Sequence, residues 1–247
     1  MRVDEAAEIR IRKTFENFDH VYVSFSGGKD SGVMLNLAVK VASDMGCLNR
    51  LSVYHMDYEA QYQQTTDYVE QVKQSLPKQV KFYHICMPIA AQCCTAIDQP
   101  FWTPWDPKAK DIWVRKMPKD AINIENHEFD FWRDGMSDYE FQDKFGEWLK
   151  SETSAKSVAC MVGIRTQESM NRWRAIHSDR NYRKFKNWVW SKKMVDGVYN
   201  VYPIYDWRTT DIWTANAKNG WSYNKLYDLY YQAGVPIEKM RVASPFN

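Results

Sequence analysis

No apolar run in this 247-residue chain approaches the length of a membrane span, and Met1-Arg2-Val3-Asp4-Glu5 lacks the apolar core of a secretory signal. The expectation is a cytoplasmic protein without a membrane partner. Excess charge is equally scarce: 33 Lys and Arg against 31 Asp and Glu leave a formal +2, so any polyanion must be held by a local patch. Five cysteines, an odd number without framework spacing, exclude a disulfide scaffold and fit a reducing compartment. What the chain does contain is a core: 45% hydrophobic residues, 26% charged residues and 11 tryptophans suit a folded globular protein. The length suits one α/β domain over residues 1–247.

The most informative stretch is Val21-Tyr22-Val23-Ser24-Phe25-Ser26-Gly27-Gly28-Lys29-Asp30-Ser31-Gly32. A β-branched and aromatic run enters a small-residue turn, and the helix-period segment Val33 to Val39 follows at once, which predicts strand, loop and helix. Two glycines permit a tight turn and leave backbone amides open to a ligand, with Ser31 expected to cap the helix. Amides at a helix start attract anions, Lys29 adds a positive charge, and Ser24, Ser26 and Ser31 add hydroxyls. The expected ligand is a phosphate or pyrophosphate. A Walker loop is excluded, because Val23 stands where its first glycine belongs and Asp30 follows the lysine.

Downstream, Leu51 to Met56 and Val80 to Cys86 read as strands, and a helix through Thr66, Val69 and Val72 stops at Pro77. With Ser157 to Gly163 as a further buried strand, the pattern predicts a doubly wound, mostly parallel α/β sheet of Rossmann type with helices on both faces. Glu5 to Phe18 and Ser137 to Leu149 read as amphipathic helices, the second opening on a Ser137 and Glu140 capping box. Residues 87–135, rich in Pro and Trp, form a rigid irregular insertion, and residues 209–247 a C-terminal helical extension. Asp57 follows the second strand and is expected beside the phosphate loop; capping of the next helix by Asp57 and Glu59 is the alternative. Arg115 either forks onto an anion or lies at the surface. From Arg172 to Lys193, cations including Arg180 and Lys184 interleave with Trp173, Tyr182, Trp188 and Trp190, opposed only by Asp179. That run suits a nucleic acid, or equally a basic lip around a charged nucleotide.

Ser26 to Ser31 resembles the PP-loop of ATP pyrophosphatases, and with its flanks it is similar to the phosphoadenosine phosphosulfate reductase superfamily. Gly163-Ile164-Arg165, Glu168-Ser169 and Arg172 resemble a second motif of that superfamily, and Pro203-Ile204 with Trp207 to Trp213 a third; Arg208 between Trp207 and Thr209 is a departure. The end of the chain resembles a prophage-associated branch, and the resemblance covers most of residues 20–247. It implies an adenine nucleotide held by Ser24, Ser26, Gly27, Gly28, Lys29, Asp30, Ser31, Asp57, Gly163, Arg165 and Arg172. It further implies catalytic roles for Lys29 and Arg165, and Mg²⁺ carried by Asp30 or Asp57. Arg165 pairing with a structural carboxylate is the alternative.

The expected reaction is cleavage of ATP between the α and β phosphates to adenylylate an unidentified acceptor, in sulfur or nucleotide metabolism and with a partner protein possible. A sulfonucleotide reductase is the first alternative. The resembled thiol reductases carry a nucleophilic cysteine in a C-terminal Glu-Cys-Gly motif, whereas no cysteine follows Cys160 here. Cys93-Cys94 has no spaced Cys-x-x-Cys partner, so no iron-sulfur cluster is expected. A non-catalytic regulator or nucleic-acid-binding protein using Arg172 to Lys193 is the second alternative.

Overall fold

The computed structural model describes residues 1–95, 97–177, 183–242 and Phe246. A parallel strand must be followed by a crossover, and the chain supplies these as helices. Along it run α1 (Val3–Asn17), β1 (His20–Ser24), α2 (Lys29–Asp44), β2 (Leu51–Met56), α3 (Gln63–Ser75) and β3 (Lys81–Cys86). The insertion contributes β4 (Ala91–Gln92), β5 (Phe101–Trp102) and β6 (Ile122–Asn123). Then come α4 (Asp138–Glu152), β7 (Val158–Val162), α5 (Met170–His177), β8 (Ser191–Val195), β9 (Val198–Val201), α6 (Thr209–Asn219) and α7 (Leu226–Gln232).

Seven strands form one sheet in the order β6-β3-β2-β1-β7-β9-β8, parallel except for β8, which returns antiparallel along β9. The order moves outward from β1 in both directions, so β1 and β7 flank the switch point where α/β sheets open a crevice for ligands. Val21 and Val23 of β1 face α1, α2, α3 and α6, while Tyr22 faces the α4 side with Tyr54, Tyr83, Phe141 and Phe145. That is the two-residue alternation of a strand buried on both faces. The fold is the α/β, Rossmann-like one expected from the pattern. No helix among the described residues is long and apolar enough to cross a membrane.

Ser137 accepts the Glu140 amide at the start of α4, which is one half of the expected capping box; the Glu140 carboxylate accepts from Arg133 instead of reaching back to the cap. Ser31 corrects the capping expectation for α2. That helix begins three residues earlier, at Lys29 with Gly28 as its cap, so Ser31 lies in the first turn and its hydroxyl braces the loop instead.

The β1 start carries a pH-sensitive group. Burial, with Arg50 nearby, pushes His20 down to about 4 from 6.5, while its Nε2 lies 3.0 Å from Ser52 Oγ. The unfolded chain takes this proton near pH 6.5 and the native state only near 4, so the stability contribution is complete above 6.5 and lost as pH falls toward 4. The melting temperature should fall between about pH 7 and pH 5. His20→Gln should flatten part of that slope, His55, pushed the same way by burial, keeping the rest.

Candidate active site

The loop leaving β1 takes its shape from a position that only glycine fills without strain. Gly27 has φ +76°, and a Cβ there would sit 2.9 Å from the Thr65 methyl of α3. Ser26 donates its amide to Ser31 Oγ at 3.2 Å, the two hydroxyls lie 3.0 Å apart, and Ser31 donates to the Gly28 carbonyl at 3.1 Å. The loop is thereby closed before α2 begins. The first helical hydrogen bond runs from the Gly32 amide to the Gly28 carbonyl, so the Asp30 and Ser31 amides precede any intrahelical partner.

Lys29 is folded inward rather than extended into solvent. Its side chain is 1% exposed, with Nζ 3.2 Å from Asp30 Oδ2 and 3.4 Å from the Met240 carbonyl. Burial pushes the ammonium below its ordinary pKa, and the Asp30 carboxylate opposes that shift. Across the crevice, the chain leaves β7 through Gly163, where a Cβ would meet the Asp30 and Ser31 backbone at 3.0 Å. Arg165 then turns back under the loop, donating from Nε to Asp30 Oδ1 at 2.6 Å and approaching Thr209 Oγ1 at 3.3 Å and Glu168 at 3.6 Å. Arg165 is thus paired with the carboxylates of Asp30 and Glu168, and Glu168 is shared with Arg172.

The resulting cleft, about 360 Å³, is lined by Ser24, Ser26, Gly28, Lys29, Asp30, Ser31, Gly163 and Arg172. Eight of the eleven residues expected at the nucleotide therefore meet in one cavity. Arg165 supports that cavity from beneath, and Gly27 lies on the α3 side of the loop. The C-terminal segment completes the wall with Tyr227, Arg241 and Val242. Tyr227 Oη accepts the Lys29 amide at 3.0 Å, and Asn224 Nδ2 donates to the Gly27 carbonyl at 3.0 Å and Thr65 Oγ1 at 2.9 Å. None of Asn224, Tyr227 and Arg241 carries a local sequence signal. Three cations (Lys29, Arg172 and Arg241) against two carboxylates (Asp30 and Glu168) leave the lining suited to an anion. For Mg²⁺ the donor set is thin: Asp30, the loop carboxylate, spends one oxygen on Arg165 and the other on Lys29. The cleft fits the ion only as one held chiefly by phosphates and water.

Asp57 lies apart from this cleft. Its Oδ1 accepts the Glu59 amide at 2.9 Å and pairs with Arg115, and its Oδ2 accepts His84 Nε2–H at 2.8 Å. Burial would raise this carboxyl, but the His84 hydrogen bond and the Arg115 guanidinium outweigh it and hold the group well below the usual carboxylate range. Neither Asp57 nor Glu59 caps α3, which starts after Tyr62. Arg115 forks onto Asp57 and the Glu59 carbonyl. Glu59, at φ +61°, accepts the Trp105 amide at 2.6 Å and the Val114 amide at 2.8 Å, and so organises the insertion. Glu59→Ala strands both donors and should lower stability by about 2 to 4 kcal/mol, read as a lower denaturation midpoint with red-shifted tryptophan emission.

Among the described residues, the basic run does not form one strip. Arg172 lines the cleft, Lys184 donates to the Ile176 and Val189 carbonyls at 2.9 Å, and Lys193 pairs with Asp196 at 2.9 Å. Trp188 and Trp190 stack at 4.3 Å against the α1 side of the sheet, and Asp179, Arg180 and Tyr182 lie outside the described residues. No cysteine lines the cleft among the described residues; Cys160 is buried in β7, and Cys93 and Cys94 stand by the β4–β5 ribbon.

The phosphoadenosine phosphosulfate reductase domain family matches residues 20–102 and 109–233. The uncharacterized protein YbdN of Escherichia coli (strain K12) is 39% identical over 249 residues, covering 100% of this chain and 59% of the relative. An uncharacterized Methanocaldococcus jannaschii protein, MJ0973, is 26% identical over 84% of this chain and 38% of its own length. The chain thus spans little more than half of the first of these relatives and less of the second. Among solved structures, a Candida auris phosphoadenylyl-sulfate reductase in a phosphate complex aligns with TM-score 0.51 at 14% identity, covering 98% of this chain and 89% of that one. Candida glabrata FMN adenylyltransferase aligns with TM-score 0.51 at 16% identity, covering 92% and 57%. At these identities the likeness is one of fold. The family match, the PP-loop sequence and the β1–β7 crevice agree: this chain belongs to the phosphoadenosine phosphosulfate reductase domain family.

Proposed function

We propose that the protein binds ATP with its phosphates in the β1–α2 cleft and transfers the adenylyl group to an acceptor, releasing pyrophosphate. The observation that carries this reading is the closed loop Ser26 to Ser31, with first-turn amides, hydroxyls and the Lys29 ammonium converging on one cationic cavity. The acceptor's nucleophile forms a bond to the α-phosphorus as the bond to the bridging oxygen of the β-phosphate breaks. Its proton passes to solvent, and pyrophosphate leaves against the loop.

Lys29, Arg172 and the amides of α2 balance charge on the leaving group, and positioning supplies most of the rest. Arg165 acts through Asp30: two cations on that carboxylate fix where Lys29 stands. Mg²⁺ would enter with the nucleotide and offset phosphate charge, Asp30 being the nearest carboxylate on the loop. A solved structure sharing the fold is that of an FMN adenylyltransferase with FMN and an ATP analogue, a precedent for adenylyl transfer on this scaffold. Sulfonucleotide reduction is the second reading, favoured by the family match; the lack of a cysteine on the cleft among the described residues weighs against a thiol attack there.

The test follows both ends of the triphosphate, using ATP labelled separately at the α and γ phosphorus with a panel of small-molecule acceptors. The proposal expects the α label on an acceptor or in AMP, and the γ label in pyrophosphate. ADP with labelled orthophosphate would contradict it.

A further inference from the structure

The second cavity of interest, about 320 Å³, lies between α3 and residues 115–118 of the insertion. Its floor carries His55 near the end of β2, Asp57 just beyond it and His84 in β3, all buried, offering ligand atoms within 4.8 Å of one another. β2 and β3 are paired in register, with His55 opposite His84, so the sheet itself sets the two imidazoles side by side, ring centroids 5.2 Å apart.

The hydrogen bonds around these groups set which atoms an ion would meet. His55 donates from Nδ1 to the Phe25 carbonyl at 2.8 Å, which fixes its tautomer and leaves Nε2 as an acceptor. The Asp57 carboxylate is anchored at Oδ1 by the Glu59 amide and Arg115, so Oδ2 is the oxygen turned toward the histidines. His84 Nε2 faces that same oxygen at 2.8 Å, so an ion would take the place of the proton between them, ligated by His84 Nε2 and Asp57 Oδ2, with the imidazole proton held instead at Nδ1, which is buried and without a hydrogen-bond partner among the described residues.

We propose that His55, Asp57 and His84 form a binding site for one divalent transition-metal ion, of the class that takes two imidazoles and a carboxylate, Zn²⁺ or Fe²⁺ rather than Mg²⁺. Imidazole donors select that class, whereas Mg²⁺ wants oxygen. Asp67 and Glu70 of α3 line the same cavity and offset Arg115 and Lys116, so the site has no net positive barrier to a cation. The ion would tie the ends of β2 and β3 to the insertion through Asp57. The site stands apart from the phosphate cleft and does not depend on the reaction assigned there.

The experiment is titration of untagged, chelator-stripped protein with Co²⁺, followed by visible d–d absorption, then competition with Zn²⁺ and with excess Mg²⁺. The expected result is one equivalent of Co²⁺ per chain, displaced by Zn²⁺ and not by Mg²⁺. His84→Gln and His55→Gln should each weaken binding at least ~10-fold, and Lys29→Ala should leave it unchanged. The two histidine variants serve as mutual checks, each scored only where its circular dichroism melt stays cooperative. Absence of the bands in folded protein would overturn the proposal, as would undiminished affinity in a folded histidine variant.

Discussion

Replacing Lys29 by alanine should reduce pyrophosphate release at least ~100-fold and remove measurable nucleotide binding, while leaving the melting temperature near that of the parent. The buried ammonium has no aqueous shell to give up when a phosphate arrives, and its two charged neighbours are already placed: Asp30 at 3.2 Å, and Arg165 beyond it. Such a pre-aimed charge-assisted contact is worth about 1.5 to 3 kcal/mol, and more where it grows with charge on the leaving group. Stability should change little, because deletion removes a desolvated charge while Asp30 keeps Arg165 as its partner. Lys29→Arg should not restore activity, since a site 1% exposed and capped by Tyr227 has no room for a planar fork. The measurement is steady-state pyrophosphate release beside a thermal melt.

Gly163→Val is expected to cost more than tenfold in nucleotide affinity, with a loss of stability of about 1 to 3 kcal/mol. The Cβ alone would stand 3.0 Å from the carbonyl carbon and oxygen of Asp30 and from the Ser31 amide nitrogen. All three atoms are backbone, so relief requires the β7 exit and the α2 start to separate, and that gap is the cleft. Gly28→Ala provides the contrast: its nearest neighbour is a Val242 methyl at 3.2 Å, at the end of a side chain that can turn away. Its effect on affinity should be severalfold smaller. Parallel titrations of the two variants decide the comparison, with circular dichroism confirming the sheet in each.

Most of the scaffold was legible because its signals are local. Leu51 to Met56 is a strand over the residues its sequence predicts, and Gly27-Gly28-Lys29 marks the turn between a strand and a helix. The β8–β9 hairpin escaped because Lys192 and Lys193 were read as part of a basic run. Asp196-Gly197 is nonetheless a hairpin dipeptide, and Gly197 takes φ +75°.

The site was legible only as far as its motifs reach. Asn224 meets Gly27 across 197 positions and Tyr227 meets Lys29 across 198, contacts that follow from where α7 docks and from no nearby pattern. Likewise, that Asp57 ends a strand is local, but its capture by Arg115, 58 positions away, depends on the path of the Trp-rich insertion. Ser31 failed as a cap because glycine at position 28 already provides the extended φ and ψ that start the helix.

The most direct test of the nucleotide cleft is calorimetric titration of the protein with α,β-methylene ATP and Mg²⁺, set against adenosine 3′-phosphate 5′-phosphosulfate and repeated with Lys29→Ala. The account predicts saturable binding of the ATP analogue, weaker binding of the sulfonucleotide, and loss of the first in the variant. Preference for the sulfonucleotide, or ATP binding that survives the loss of Lys29, would contradict it.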